Sequence, residues 1–331
     1  MTAATKRVLR LGLLGTGLAA RKLYLPALAR IRGRVRVVAC ASRTLAKAEA
    51  FARDAQVPLV VDGLDALLAL PEVDALLVSL PIEAQPAVVL KALRAGKPVL
   101  SEKPMAPSLA AGRRLLAQAR PLARRGPAWM VGENYRFMPA AAWAEKQLRQ
   151  GALGQLRVVE VRQSGWTDAS NPYFHTAWRT RPRFVGGFVL DAGVHLAHLV
   201  RRFAGFPVEL RGLAAQFSPD LPPMDTAVAV LRFSNGALGT WLSSFSSAAG
   251  GPMLTLRGSL GSLELHPDHA LLIPRRGRPR GFRSKDDSFS LQFGHFAGVV
   301  LDGRRSAYTA EDALLDLALM ESVVRGRIVR P

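Results

Sequence analysis

From residue 8 to residue 131 the chain alternates short, continuous apolar runs with longer stretches whose apolar residues recur at helical spacing. The continuous runs are Val8 to Leu14, Val35 to Cys40, Leu59 to Val61, Ala75 to Leu80, Pro98 to Ser101 and Ala128 to Val131. The helical patterns between them are carried first by Leu23, Leu25, Ala27, Leu28 and Ile31, then by Leu64, Leu67, Leu68 and Leu70. Two more follow, from Gln85 to Ala95 with a stop at Gly96, and from a Ser108 cap to Ala119. Runs apolar on both faces, alternating with helices, predict a doubly wound parallel sheet covered on both sides. Ligands then gather at the carboxyl ends of the strands, which hold Gly15, Ser42, Ser79 and Glu102.

Beyond Asn134 the rhythm changes. A helical pattern from Ala140 to Gln150 leads to a longer strand, Leu156 to Gln163, and later to Glu209 to Phe217, Ala227 to Phe233 and Ala237 to Phe245. Asn235-Gly236 between the last two is a tight hairpin signal. Long strands joined by hairpins predict a mostly antiparallel, open-faced sheet with helices, an α+β domain. Near the end Thr309 opens a helix with Asp312 at the capping-box offset, and Leu314, Leu315, Leu317, Ala318 and Met320 form its apolar side.

The first strand runs into Gly15-Thr16-Gly17-Leu18-Ala19-Ala20, a G-x-G-x-x-A turn at a strand-to-helix junction. In a dinucleotide site the first glycine makes the turn, the second lets the backbone approach the pyrophosphate, and the small third residue lets the helix pack on the strand. That predicts cofactor contacts at Gly15, Gly17, Leu18, Ala19 and Ala20, with the helix N-terminus facing the anion. The second strand ends in Ala41-Ser42-Arg43-Thr44, followed by Lys47, where an NAD site carries Asp or Glu for the ribose 2′-hydroxyl. Arg43 with Ser42, Thr44 and Lys47 fits a 2′-phosphate, so NADP(H) is favoured over NAD(H). Thr44 also stands where it would cap the next helix, with Arg43 then a solvated surface residue; the two readings are compatible.

Composition narrows the class. At 331 residues and 49% hydrophobic content the chain can fill two cores. Lys6-Arg7 before an apolar run superficially matches a secretion signal, but that run is short and ends in the glycine turn. No apolar run approaches the ~20 residues of a membrane helix. The single cysteine, Cys40, excludes an internal disulfide and fits a reducing cytoplasm. A net charge of +20 raises the question of nucleic acid. Arg113, Arg114, Arg120, Arg124 and Arg125 read instead as a solvated helix face and its exit, and the dense run Arg275 to Lys285 holds one aromatic, Phe282. Stacking platforms are absent, which argues against a nucleic-acid partner.

Two further stretches carry reactive side chains. Ser101-Glu102-Lys103-Pro104 ends the fifth strand, where side chains project toward a bound cofactor; its bland reading is an ordinary loop lysine and a proline stop. The second is Gly186-Gly187-Phe188-Val189-Leu190-Asp191-Ala192-Gly193-Val194-His195-Leu196-Ala197-His198. If helical, it puts Asp191 and His195 on one face with His198 close by, either as chemistry or as a structural acid and imidazole. Glycines at 186, 187 and 193 favour close approach of a ligand or of another backbone. A metal-dependent hydrolase would have Asp191, His195 and His198 share a zinc ion, but no metal is the preferred reading.

Over nearly its whole length the chain resembles the Gfo/Idh/MocA oxidoreductases. The resemblance rests on Gly15, Gly17 and Ala20, on Glu102-Lys103-Pro104, on Asn134-Tyr135-Arg136-Phe137, on Trp178-Arg179, and on Gly186-Gly187 leading to Asp191, Gly193 and His195. It implies an NADP-binding Rossmann domain, placed at 1–128, and a substrate-binding and oligomerisation α+β domain, placed at 129–331 with the C-terminal helix packing back on the fold. It further implies hydride transfer between nicotinamide and a carbohydrate or polyol carbon, with Lys103, Asp191 and His195 as the catalytic set. Ser79, Pro81, Glu102, Lys103, Asn134 and Arg179 join the expected cofactor contacts. Lys103, Tyr135, Arg136, Gln163, Asp191 and His195 form the expected substrate site. Phe188 stands where the family often has a third glycine and His198 where it often has an acid. Arg179, Arg181 and Arg183 would suit an acidic or phosphorylated substrate, unless Arg179 belongs to the cofactor. The family habit of pairing subunits through the second sheet implies a homodimer or homotetramer. The competing class is an NADP-binding regulatory or redox-sensing protein without turnover.

Overall fold

The computed structural model describes residues 7–124, 126–248 and 250–330, so Lys6 and Arg125 lie outside the described residues. The chain divides into two compact units. One comprises Met1–Ala106, Ala110–Glu133 and Phe289–Ala313; the other comprises Pro107–Leu109, Asn134–Ser288 and Leu314–Pro331.

In the first unit the continuous apolar runs form β1 (Leu9–Leu14), β2 (Val35–Ala41), β3 (Leu59–Val60), β4 (Ala75–Val78), β5 (Val99–Ser101) and β6 (Trp129–Val131). They pair in the order β3-β2-β1-β4-β5-β6, every pair parallel. Because such a sheet is covered on both faces, its strands are mostly apolar, with Arg10 and Arg36 exposed near the starts of β1 and β2; all four residues of β4 are buried. The order reverses between β1 and β4, the switch point at which open α/β sheets bind ligands beyond the strand ends. The helices are α1 (Leu25–Ala29), α2 (Leu45–Ala55), α3 (Gly63–Ala69), α4 (Gln85–Arg94) and α5 (Leu109–Ala123). Two differ from the sequence pattern. The turn ahead of α1 is a π-helix, Ala20–Tyr24, and α5 continues past Ala119 through Pro121.

The second unit is built on an eight-stranded sheet in the order β14-β13-β12-β11-β7-β10-β9-β8. Its strands are β7 (Leu156–Ser164), β8 (Glu209–Ala215), β9 (Thr226–Arg232), β10 (Leu238–Ser244), β11 (Leu254–Gly258), β12 (Gly261–Leu265), β13 (His269–Pro274) and β14 (Arg280–Arg283). All pairs are antiparallel except β7 with β10. β8 stops at Ala215, short of Phe217, because the buried Asp225 carboxylate accepts the backbone N–H groups of Phe217 (2.8 Å) and Ser218 (2.6 Å) and turns the chain away. The remaining helices are α6 (Pro139–Arg149), α7 (Ala177–Thr180), α8 (Gly187–Ala204), α9 (Ser288–Asp302) and α10 (Ala310–Arg325). α10 opens on a reciprocal capping box: Asp312 Oδ2 accepts from Thr309 N at 3.0 Å and Thr309 Oγ1 accepts from Asp312 N at 3.2 Å. None of the described helices is long and apolar enough to cross a membrane.

Candidate functional site

The glycine turn of the first unit has the shape its residues call for. Gly15 has φ +98°, and a Cβ there would lie 2.1 Å from the Ser79 carbonyl oxygen, so only glycine lets β1 leave the sheet this close to the end of β4. A Cβ on Gly17 would meet nothing within 4 Å, so this backbone faces open space and lets a ligand come close. Helix begins at once with Leu18 and Ala19, and Ala20 is fully buried against the sheet. Ser42, half-buried, and Arg43, Thr44 and Lys47, exposed, stand together between the end of β2 and the first turn of α2. Thr44 occupies the N-cap position of α2, but its side chain makes no capping hydrogen bond. Pro81 follows β4, two residues after Ser79.

At the end of β5, Glu102 is fastened from two sides: Oε1 accepts from the Tyr24 hydroxyl and Oε2 from the backbone N–H of Lys103 at 3.2 Å. Tyr24 is buried with its ring edge-on to Phe293, centroids 5.5 Å apart. It lies in the π-helical turn, a backbone irregularity that recurs at functional sites. Lys103 itself is half-buried. Tyr24 was not legible from the sequence, where it is one more apolar position on a helix stripe.

In the second unit α8 carries Asp191 and His195 one turn apart, as the spacing predicts. Asp191 is 5% exposed, and its Oδ2 accepts from Arg179 Nε at 2.8 Å. The guanidinium carbon of Arg179 lies 3.8 Å from the centre of the Trp178 ring and 4.8 Å from that of Tyr173. His195 is half-buried and stacks on Tyr135, with ring centroids 4.4 Å apart and planes inclined by 17°. Tyr135 and Arg136 belong to a 3-10 turn, Asn134–Phe137, whose carbonyls at Tyr135 and Arg136 accept from Arg202 Nη1 at 3.5 and 3.2 Å. Arg202 in turn pairs with Glu145 of α6 at 2.5 Å. Burial alone would raise the Glu145 carboxyl, but the hydrogen bond and charge of Arg202 outweigh it and hold the group below its ordinary value. Arg202 is lowered as well, but there desolvation wins and Glu145 only partly offsets it. Neither residue stood out in the sequence, because an arginine on one helix and a glutamate on another carry no mark of their pairing.

The other expected site residues have diverse surroundings. Asn134 is buried, with Nδ2 donating to Ser288 Oγ at 3.0 Å. Gln163, the penultimate residue of β7, has a buried Oε1 that accepts no hydrogen bond from the described residues. Arg181 and Arg183 are exposed. His198 points to α10 instead, its Nδ1 3.4 Å from Asp316 Oδ2 with Arg201 on the other carboxylate oxygen at 2.5 Å. Among the described residues no three His, Cys, Asp or Glu side chains are grouped to hold a metal ion. The glycines of this stretch serve packing: a Cβ on Gly187 would lie 2.5 Å from the Pro222 carbonyl, and one on Gly193 2.3 Å from Met320 Cε. Phe188, in place of a third glycine, is buried against Phe245 with centroids 5.8 Å apart.

One unit has a switch-point glycine turn on a parallel sheet and the other a buried aspartate and a stacked histidine on one helix, features that fit an oxidoreductase with a dinucleotide-binding Rossmann domain. Residues 9–126 match the family described as "Oxidoreductase family, NAD-binding Rossmann fold", and residues 142–264 match the "GFO/IDH/MocA C-terminal domain". The chain belongs to the Gfo/Idh/MocA family. It is 35% identical to dehydrogenase FPY6 of Fusarium mangiferae over 71% of this chain and 70% of that one. It spans 62 to 64% of the length of three other curated relatives it matches. A crystal structure of an oxidoreductase from Thermotoga maritima superposes with a TM-score of 0.89 at 32% identity over 97% of both chains. That of aldose-aldose oxidoreductase from Caulobacter crescentus, complexed with glycerol, superposes at 0.85 and 25% identity, also over 97% of both.

Proposed function

We propose that the protein is an NADP(H)-dependent oxidoreductase that moves a hydride between the nicotinamide and a CH–OH or carbonyl carbon of a sugar, polyol or related hydroxy/keto compound. The observation that carries this reading is the turn in which Gly15 is wedged on Ser79 while Gly17 faces open space, with Arg43 exposed where an acid would select NAD(H). The turn from Gly15 to Ala20 would hold the pyrophosphate, and Ser42, Arg43, Thr44 and Lys47 the 2′-phosphate. Ser79, Pro81, Glu102, Lys103, Asn134 and Arg179 complete the proposed cofactor contacts. The bound nicotinamide supplies or accepts the hydride. Lys103 and His195 jointly bind the substrate hydroxyl and carry its proton, and Asp191 supports them. Tyr135, Arg136 and Gln163 line the substrate. A neutral substrate is favoured over an acidic one, since Arg179 is committed to Asp191 and both Arg181 and Arg183 are exposed. The location is proposed to be the cytoplasm, in keeping with the single, buried cysteine.

The test is a screen of sugars and polyols, in both directions, for a change in cofactor fluorescence, followed by cofactor titration of an Arg43 variant. Turnover of at least one neutral sugar or polyol is expected, with NADP(H) bound more tightly than NAD(H). Arg43→Ala should weaken NADP(H) by ~1.5 to 3 kcal/mol and leave NAD(H) nearly unchanged, because the lost contact is charge-assisted only with the 2′-phosphate. Equal losses for both cofactors would sink the assignment.

Assembly follows from the outer face of the second sheet. Leu213, Val228, Val230 and Leu238 on β8 to β10 are exposed, and register puts Leu213 opposite Val228. Contiguous exposed apolar side chains of this kind mark interfaces. A homodimer or homotetramer is expected in light scattering at micromolar concentration, and Val230→Asp with Leu238→Asp should shift it toward monomer. A wild-type monomer would count against it.

A further inference from the structure

Strands of a doubly wound sheet are normally sealed by helices on both faces, but β2 is left partly open. In its middle, Val37 and Val38 are only half-buried. Three departures from regular backbone accompany the gap. α1 is only five residues long, with the π-helical turn Ala20–Tyr24 standing before it. Register shifts between Leu11 and Gly12, so Val38 is an extra residue with no partner on β1, a bulge of the kind that re-aims side chains. α2 closes on Gln56 in the left-handed region at φ +55°, the one non-glycine residue with positive φ among the described residues. Glycine is the usual residue at such a cap, so this side chain is kept there against a conformational cost.

All three surround one cavity of about 620 Å³ in the first unit, a size typical of small-molecule sites. Its floor is apolar, made by the half-buried Leu25, Val37, Val38 and Ala55. Its rim is cationic. Arg36 Nε donates to the Arg32 carbonyl at 3.1 Å, which brings the two exposed arginines together, and neither forms an ion pair among the described residues. The acid on the rim, Asp54, is already taken by Arg21 at 2.6 Å. The carboxyl end of α2 adds a partial charge of only ~−0.5, less than the two guanidiniums supply. We propose that this cavity binds a small amphipathic anion from free solution, its apolar body on Leu25, Val37 and Val38 and its carboxylate on Arg32 and Arg36. The site is separate from the proposed cofactor contacts: Arg43 and Thr44 stand at the start of α2 and the cavity at its end, 11 residues or ~16 Å along the helix. It stands independently of the oxidoreductase reading.

The test titrates the full chain, with and without saturating NADP(H), with anilinonaphthalene sulfonate, an apolar anion that fluoresces on apolar contact. Wild type should show a saturable component that persists with NADP(H) and that Arg32→Glu with Arg36→Glu weakens at least ~10-fold. The same reversal at Arg276 and Arg278, exposed in the other unit, should leave it unchanged, which separates the cavity from the general positive charge of the chain. Neutral phenylnaphthylamine, which lacks the sulfonate, should bind wild type at least ~10-fold more weakly. All four arginines are exposed, so these variants should keep the fold. Ala55→Trp should close the floor and remove the component with both charges in place; if that variant does not fold, the charge reversals decide. Absence of a saturable component in wild type would overturn the proposal, as would its displacement by NADP(H). So would a component unmoved by reversal at Arg32 and Arg36, or equal binding of the charged and neutral probes.

Discussion

Replacing Lys103 or His195 with alanine is expected to lower kcat by at least ~100-fold and to leave cofactor affinity nearly unchanged. When hydride leaves a carbinol carbon, the proton on its oxygen must leave the other way, so a group that exchanges protons near neutral pH has to sit within hydrogen-bond reach of that oxygen. Imidazole as a class meets this requirement unaided. A lysine meets it when desolvation or nearby positive charge favours its neutral form, and oxidised nicotinamide would supply such charge. Lys103 follows a carboxylate that Tyr24 and its own backbone hold in place, while His195 is flattened against Tyr135. Both side chains are therefore mounted on restrained backbone, as a proton-transfer group must be to keep its geometry. If both groups serve one proton-transfer step, the double variant should be little worse than the poorer single one. Near-normal turnover in both single variants on an identified substrate would move the chemistry elsewhere.

The sequence carried the first sheet almost intact, because strands buried on both faces are nearly continuous in apolar residues, and those from Leu9 to Val131 are broken only near their starts by Arg10 and Arg36 and at the end of β5 by Ser101. It carried the Asp191 to His195 spacing for an equally local reason, a single helix. The strands β11 to β14 escaped it. They are short, and β14, with Arg280 and Arg283, reads by composition as a basic loop. α9 escaped because, although Phe289, Phe293 and Phe296 share one side, Leu291, Gly294, Gly298 and Leu301 on the other leave no strongly polar face to define a period. The partners of the site residues were equally illegible. Nothing local ties Tyr24 to Glu102, 78 residues away, or Arg202 to Glu145, 57 residues away. The glycines at 187 and 193 looked like invitations to a ligand, yet Pro222 and Met320 press on them. A glycine records that something comes close, and only the fold says what.

The Arg202 to Glu145 pair gives the largest expected effect on stability. Arg202→Met should cost about 3 kcal/mol at neutral pH, toward the low end of the ~3 to 5 kcal/mol for breaking a buried pair, because Glu145 keeps 24% of its side chain exposed. The loss has a pH signature. Glu145 is held below its ordinary 4.5 in the folded chain, and a carboxyl depressed by folding contributes stability that is complete above the unfolded value and disappears as pH falls through the folded one. The gap between wild type and Arg202→Met should therefore be widest near neutrality and shrink as the pH drops below the ordinary glutamate range. Adding Glu145→Gln to Arg202→Met should recover part of the loss, since the stranded carboxylate is then gone. Urea denaturation of the three proteins at neutral and at acid pH measures both effects. The same variant loses the Nη1 donations to the Tyr135 and Arg136 carbonyls, so the turn that presents Tyr135 to His195 loosens. Turnover should then stay low in the double variant even where stability returns, because Glu145→Gln relieves the buried charge but restores neither hydrogen bond. A double variant that recovered turnover in step with stability would show that Arg202 serves the fold alone.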